Sequence, residues 1–346
     1  MPDLRIHLGR RVGLLIGLLL AVNVAAWALT LVVAFRYLAF LGLALTAYLF
    51  GLRHSMDADH ISAIDNATRK LMHDGRRPVA VGLFFSLGHS TVVFVMAIAI
   101  TAGSAFIMKG LVSPGSSLKE WGSVIGTGVS VLFLFMIAVM NIGVLREVVR
   151  ASQRGEGREL RADETSLPRG PLMRVFRGLF RSVDRSWKMY PIGLLFGLGF
   201  DTASEVGLLV VSSIAVTRLT LPVPAALLLP LLFTSGMTIA DTTDGLAMVG
   251  AYSSALRGGS RRLSYNLLVT AASVFSALLI GTIELLQLAA DHFDLGGAFW
   301  SSIERIGSGS ASGYLGAGIV TVLLASWGVS ILIRRFTSEG RGVPEA

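Results

Sequence analysis

The stretch Arg53-His54-Ser55-Met56-Asp57-Ala58-Asp59-His60 interrupts an otherwise apolar part of the chain. It places two imidazoles, two carboxylates and a guanidinium directly after the apolar run from Tyr37 to Leu52. A charge near the centre of a bilayer costs about 2.5–3.5 kcal/mol on insertion scales. Imidazole and carboxylate groups together suit first-row divalent metal ions. The stretch therefore indicates a functional polar site within a membrane protein.

The composition supports a membrane location. The chain has 346 residues, of which 53% are hydrophobic and 15% are charged, and its mean hydropathy is +0.68. Its apolar runs are about 20 residues long and do not alternate, which predicts helices rather than a β-barrel. Cysteine is absent, so disulfides, thiolate metal sites and a cysteine nucleophile are excluded. Any metal ligands must be nitrogen or oxygen atoms.

The hydropathy pattern predicts an all-α integral membrane protein with eight transmembrane helices. A cleaved signal peptide is the alternative for the first helix, but that apolar run is longer than a usual signal peptide core and a second span follows at once. We therefore expect the first helix to be retained. The eight expected spans are Val12–Phe35, Tyr37–Ala67, Val79–Ala105, Val124–Leu145, Tyr190–Ala215, Pro224–Tyr252, Leu263–Ala290 and Gly313–Ile333.

The distribution of basic residues predicts the orientation. Most of the 30 lysines and arginines lie at the two termini and in alternate connections between the expected spans. Under the positive-inside rule, both termini are then cytoplasmic. The net charge of +8 is thereby explained by topology, so we expect no nucleic-acid partner. We predict one transmembrane domain over 1–346, with a cytoplasmic loop at about 146–189.

The second half of this loop has two interpretations. From Leu172 to Val183, apolar residues recur at helical spacing with arginines between them. This pattern is typical of a helix lying on the inner leaflet. A basic loop without such a helix is equally consistent with the positive-inside bias.

Four polar clusters fall on four different expected spans, and imidazoles or carboxylates occur in each of them. Buried polar residues of this kind can serve as structural hydrogen-bonding groups, and Arg53 could simply neutralise Asp57. Together, however, the clusters carry several more carboxylates than basic groups, and a bound cation would offset that charge. The candidate metal ligands are His54, Asp57, Asp59, His60, His89, Asp201, Glu205, Asp241 and Asp244.

Helix periodicity divides the first cluster. At about 100° per residue, His54, Asp57 and His60 point to one side of a regular helix, whereas Asp59 points to the other. Either Asp59 contacts a different helix, or the helix is kinked or unwound at this point. Broken helices are common at ion sites in transporters.

The four clusters resemble, in order, the signatures of the nickel/cobalt transporter family. The matching segments are Arg53 to Ile61, Leu87 to Val93, Leu198 to Glu205 and Gly236 to Gly245. The resemblance implies eight helices with cytoplasmic termini and high-affinity uptake of Ni2+ or Co2+. It also implies that His54, Asp59 and His60 are signature residues required for transport. Ser55 and Ser204 are conservative departures from the family pattern.

The resemblance implies a permease of the bacterial cytoplasmic membrane that is not an enzyme, needs no cofactor and has the metal ion and the lipid bilayer as partners. No Gly-x4-Gly-Lys-Ser/Thr motif for ATP occurs in the chain. Export of the same metals is the alternative, although the loop at 146–188 contains no histidine. An intramembrane metalloenzyme is a weaker alternative, because His54, His60 and His89 are the only histidines within the expected spans.

Overall fold

The computed structural model describes residues 2–101, 117–153, 183–198, 203–255 and 261–307, together with residues 314, 318 and 321. Within these residues the chain is helical and contains no strand. A short 3-10 helix, Ser186–Lys188, precedes α6. The α-helices are α1 Pro2–Ala34, α2 Phe40–His54, α3 Ala58–His73, α4 Val81–Thr101, α5 Ser117–Gln153, α6 Met189–Phe196, α7 Ala203–Thr217, α8 Val223–Ala226, α9 Leu228–Ala255, α10 Arg261–His292 and α11 Ala298–Gly307.

Five segments of the described chain are long and apolar enough to cross a membrane, which confirms a multi-pass helical membrane protein. Each corresponds to one of the expected spans. The last expected span, Gly313–Ile333, lies outside the described residues apart from three isolated positions. The five segments are Gly9–Ala34, Val81–Ala99, Ser123–Gly143, Val223–Gly250 and Ala271–His292.

The other two expected spans are each divided into two helices. The second span, expected from Tyr37 to Ala67, consists of α2 and α3, with a break at residues 55–57. The fifth, expected from Tyr190 to Ala215, consists of α6 and α7, and α6 ends at Phe196. The prediction of one continuous helix was therefore wrong for the fifth span, and for the second span the unwound alternative is the observed one.

The break between α2 and α3 follows from local hydrogen bonding. The Ser55 hydroxyl donates to the carbonyl of Leu52 at 2.7 Å, so it competes with the regular helical pattern. Asp57 then adopts an extended backbone with φ −65° and ψ 143° at the N-cap of α3. Aspartate is a preferred N-cap residue, yet its side chain makes no capping hydrogen bond here. Its carboxylate is instead engaged with His54.

The first residues of the expected loop at about 146–189 are helical. Helix α5 continues through Arg146 to Gln153, whereas the segment long and apolar enough to cross a membrane ends at Gly143. The described part of the chain begins again at Val183, near the end of the expected loop. The amphipathic helix expected from Leu172 lies outside the described residues.

Glycines bring two pairs of helices into backbone contact. A Cβ atom at Gly51 of α2 would collide with the carbonyl oxygen of Phe233 on α9, and one at Gly236 of α9 would lie 2.8 Å from the carbonyl oxygen of Tyr48. The same reciprocal arrangement joins α4 and α6, where Gly88 meets the Tyr190 carbonyl and Gly193 meets the Phe85 carbonyl. Small residues allow such close approach between membrane helices. Both crossings lie beside the polar clusters.

Candidate metal centre

Three histidines from three helices converge in the interior of the bundle. The rings of His54 and His60 have centroids 4.5 Å apart, and the ring of His89 on α4 lies 4.7 and 4.8 Å from them. One nitrogen from each ring can be chosen so that the three atoms lie within 4.8 Å of one another. All three side chains are buried. The break at residues 55–57 allows His54 and His60 to meet, although they belong to separate helices.

Asp57 orients the ring of His54. Its Oδ2 atom accepts a hydrogen bond from Nδ1 of His54 at 3.1 Å, and both side chains are buried. A carboxylate acceptor keeps a proton on Nδ1, so the lone pair of the neutral imidazole is on Nε2. A carboxylate in this role makes a histidine a better metal ligand. Asp57 therefore supports the site from behind His54 rather than facing its centre.

Asp241 on α9 holds His60 in the same way. Its Oδ2 atom lies 3.3 Å from Nδ1 of His60 and also accepts a hydrogen bond from the hydroxyl of Ser86 on α4. The Nε2 atom of His60 is buried and has no hydrogen-bond partner within the described part of the chain. A buried imidazole nitrogen without a partner is costly unless a ligand satisfies it.

Glu205 adds a carboxylate to the histidine cluster from the first turn of α7. Its Oε1 atom lies 2.8 Å from Nε2 of His89 and 3.8 Å from Nε2 of His54. The two Nε2 atoms themselves are 2.8 Å apart. Two ring nitrogens at this distance can share one proton or one cation, because two N–H groups cannot point at each other. These atoms outline one small, polar centre.

Three of the predicted ligands make no hydrogen bond to the imidazoles among the described residues, or lie outside those residues. Asp59 is partly exposed in the first turn of α3, and none of the hydrogen bonds between described residues joins it to the three imidazoles. Asp244 lies one turn beyond Asp241 on α9, and its Oδ2 atom is buried without a hydrogen-bond partner among the described residues. Asp201 lies outside the described residues. A ligand role for these three carboxylates remains a prediction.

A second polar cluster was missed from the sequence. Asp65 is fully buried on α3 and accepts a hydrogen bond from the hydroxyl of Ser273 on α10 at 2.9 Å. Asn66, its neighbour, accepts a hydrogen bond from the side chain of Asn141 on α5 at 2.7 Å. The signal was present, because Ser62, Asp65 and Asn66 share one polar face at helical spacing, on the side of α3 opposite His60. These bonds attach α3 to the two helices behind it.

Glu284 is a further carboxylate within an expected span, Leu263–Ala290, and it too serves a contact between helices. Its Oε2 atom accepts a hydrogen bond from the hydroxyl of Ser130 on α5 at 2.6 Å. The bond joins α5 and α10 within two of the five membrane-crossing segments. Hydrogen bonds between membrane helices contribute about 0.6 kcal/mol on average.

The centre combines three imidazoles with at least one carboxylate in a buried pocket. Asp57, Glu205 and Asp241 contribute up to three negative charges around it. Protons on the imidazoles or a bound cation would offset buried charge of this sign. Imidazole-rich sites suit nickel, cobalt, zinc and copper, whereas magnesium and calcium prefer oxygen atoms alone. The arrangement can therefore bind a first-row transition metal ion.

Comparisons with known proteins agree with this chemistry. The profile of a family described as high-affinity nickel-transport protein matches residues 40–333. A high-affinity nickel transport protein of Cupriavidus necator is 45% identical over 326 residues, which cover 93% of this chain and 91% of that protein. No solved structure matches the chain.

Two further relatives are named for nickel and for cobalt. The nickel transporter NicT of Mycobacterium tuberculosis is 41% identical over 333 residues, covering 93% of this chain and 88% of that protein. The cobalt transport protein NhlF of Rhodococcus rhodochrous is 38% identical over 341 residues, covering 95% of this chain and 94% of that protein.

Proposed function

This chain belongs to the high-affinity nickel-transport family, and from this premise we propose that it takes up Ni2+ or Co2+ across the cytoplasmic membrane. Family membership makes the protein a transporter rather than an enzyme, and it makes the metal ion its cargo rather than a cofactor. The direction of transport, the choice of metal and the ligands are parts of the proposal.

The observation that carries the proposal is the convergence of three buried imidazoles with a carboxylate. We assign Nε2 of His54, Nε2 of His60, Nε2 of His89 and Oε1 of Glu205 as the metal-binding atoms. The support for the first two comes from their Nδ1 atoms, which are occupied by carboxylates. The 2.8 Å contact between His89 and Glu205 supports the other two.

The donor set favours a particular class of cargo. Three nitrogen atoms and one oxygen atom, without sulfur, suit Ni2+ and Co2+ better than Mg2+, Ca2+ or Mn2+. The Irving–Williams order places Mn2+ at the weak end of the divalent series and Ni2+ slightly above Co2+. Ni2+ and Co2+ should therefore compete with each other for uptake, and Mn2+ should compete weakly.

The membrane potential is a sufficient driving force. Moving a divalent cation inward through 100 mV releases about 4.6 kcal/mol, twice the value for a single charge. Since about 1.4 kcal/mol corresponds to a tenfold change in an equilibrium constant, this supports roughly a thousandfold accumulation. A scarce metal can thus be concentrated without ATP.

The proposed topology has eight spans and cytoplasmic termini, in a single transmembrane domain over 1–346. In this topology α2–α3 together form the second span and α6–α7 the fifth. Both breaks then lie near the middle of the membrane, at the height of the metal centre. Discontinuous helices around a central site are the usual arrangement in secondary transporters, where one part of the bundle moves against the other. Placement in a bacterial cytoplasmic membrane is part of the same proposal.

The test is uptake of radioactive Ni2+ by cells expressing the full chain. We expect uptake above that of cells without the protein, inhibition by excess Co2+, and loss of uptake in His60→Gln. The matched control is His292→Gln, because His292 is an exposed histidine at the end of α10. Faster loss of metal from preloaded cells, with no uptake, would establish export instead. Equal inhibition by Mn2+ would contradict the assignment of the cargo.

A further inference from the structure

We infer that Ser86 is a positioning residue of the metal centre, acting through Asp241 on His60. This inference rests on the proposed function and deepens it, because it identifies what sets the orientation of one metal ligand. No hydrogen bond between described residues joins Ser86 directly to the three imidazoles. It acts by anchoring the carboxylate that holds the Nδ1 atom of His60.

The contacts form a chain from α4 through α9 to α3. The hydroxyl of Ser86 donates to Oδ2 of Asp241, and the same oxygen lies 3.3 Å from Nδ1 of His60. All three side chains are buried. The other carboxylate oxygen of Asp241, Oδ1, is buried and has no hydrogen-bond partner within the described part of the chain. Ser86 therefore distinguishes Oδ2 from Oδ1 and holds the carboxylate in one rotamer.

The hydroxyl of Ser86 lies within hydrogen-bond distance of two acceptors, the carboxylate of Asp241 and the carbonyl of Gly82. Its Oγ atom lies within hydrogen-bond distance of Asp241 and also 2.9 Å from the carbonyl oxygen of Gly82, one turn earlier on α4. A hydroxyl carries one hydrogen, so it donates to one acceptor at a time. The bond to the carbonyl is the ordinary one for a helical serine. A bond to an ionised carboxylate is about twice as strong as one to a neutral acceptor, so Asp241 is favoured.

The close approach of α4 and α9 makes this contact possible. A Cβ atom at Gly82 would collide with the backbone carbonyl of Asp241. Any larger residue at this position would push α9 away from α4 and separate Asp241 from Ser86. Gly82 therefore permits the close approach of the two helices, and Ser86 forms a hydrogen bond across it.

The consequence for the metal centre concerns the tautomer of His60. A carboxylate on Nδ1 keeps the proton there and leaves Nε2 available as the ligand atom. Without Ser86, the Asp241 carboxylate can rotate, and His60 can place its proton on Nε2, where it blocks the metal. Loss of supporting groups of this kind typically costs 10–100-fold in metal affinity.

The test compares Ser86→Ala with Ser212→Ala in the purified full-length protein. Ser212 is a fully buried serine on α7 whose hydroxyl has no hydrogen-bond partner among the described residues. We expect Ser86→Ala to weaken Ni2+ binding, measured by calorimetry, by about 10–100-fold, and Ser212→Ala to leave it unchanged. Ser86→Thr keeps the hydroxyl and should restore most of the affinity. Equal affinities of Ser86→Ala and Ser212→Ala would overturn the inference.

A second readout separates this inference from the proposed function. Nitrogen-15 NMR of labelled histidines in the metal-free protein reports which ring nitrogen carries the proton. We expect His60 to carry it on Nδ1 in the wild type and on both nitrogens, in exchange, in Ser86→Ala. An unchanged tautomer in Ser86→Ala would refute the role of Ser86. Wild-type protein that bound no Ni2+ would refute the proposed function, while the tautomer would still decide the role of Ser86.

Discussion

The Nε2 atoms of His54 and His89 face each other at 2.8 Å, although 35 positions separate the two residues in the chain. His54 ends α2, and His89 lies within α4. Oε1 of Glu205 lies 2.8 Å from the second of these nitrogens. The geometry brings together three lone-pair donors from three helices, so that removal of any one of them should affect the same binding event.

The first prediction concerns the two facing histidines. His54→Gln and His89→Gln should each weaken Ni2+ binding by more than the 10–100-fold typical of a supporting group, because each removes a ligand atom. The double variant should bind Ni2+ little more weakly than either single variant. The losses of binding free energy are not additive when two residues bind the same ion. Calorimetric titration of the four proteins measures this. Additive losses in the double variant would place the two histidines in independent sites.

The second prediction distinguishes two neighbouring carboxylates. Asp57→Asn should weaken equilibrium Ni2+ binding by about 10–100-fold, because an amide can donate to Nδ1 of His54 and so move the imidazole proton to Nε2. Asp59→Asn should have a smaller effect on binding, because Asp59 makes no described hydrogen bond to the imidazoles. The comparison uses the same titration on both variants. A larger loss from Asp59→Asn would reverse the roles assigned to the two residues.

The third prediction concerns the crossing of α2 and α9. Gly51→Ala should destabilise the protein by about 1–3 kcal/mol, the usual cost of an extra group in a tight contact, because its Cβ atom meets the Phe233 carbonyl. Gly42→Ala on the same helix is the control, since a Cβ atom there has nothing within 4 Å. Thermal unfolding in detergent measures both variants. Equal melting temperatures would mean that the backbones are not in contact at Gly51.

The fourth prediction concerns acid. Histidines must be neutral to bind a metal ion, so protons compete with Ni2+ and binding releases them. We expect Ni2+ affinity to fall as the solution is acidified, and we expect proton release to be detectable with a pH indicator at neutral pH. The slope of log affinity against pH should be smaller in His89→Gln, which has one imidazole fewer. Affinity that rises on acidification would contradict binding by imidazoles.

Much of this architecture could be predicted from the sequence, because the signals are local. Apolar runs predicted five of the membrane-crossing segments, and the imidazole and carboxylate motifs predicted His54, His60, His89, Glu205 and Asp241 as a group. For the second span, the sequence left two alternatives: a break in the helix, or a regular helix in which Asp59 contacts a different helix. The break between α2 and α3 is the observed one. Helix periodicity could show that Asp59 and Asp57 diverge, but it could not select between a break and a contact with another helix.

The rest depended on contacts between distant segments. Ser86 directly precedes the segment Leu87 to Val93, but its bond to Asp241 spans 155 positions and has no local signal. The division of the fifth span was missed because Tyr190–Ala215 is apolar over most of its length. The roles of the carboxylates also emerged only from packing, since Asp57 and Asp241 lie behind imidazoles whereas Glu205 lies beside them. Helix periodicity alone cannot tell a carboxylate behind an imidazole from one beside it.

X-ray absorption at the nickel edge, on purified full-length protein loaded with one equivalent of Ni2+, tests the central claim most directly. Scattering from the outer atoms of imidazole rings reports how many histidines bind the metal. We predict three imidazoles and at least one oxygen ligand in the wild type, two imidazoles in His89→Gln, and three in the control His292→Gln. A wild-type spectrum with oxygen ligands alone, or one unchanged in His89→Gln, would contradict the assignment of this cluster as the nickel site.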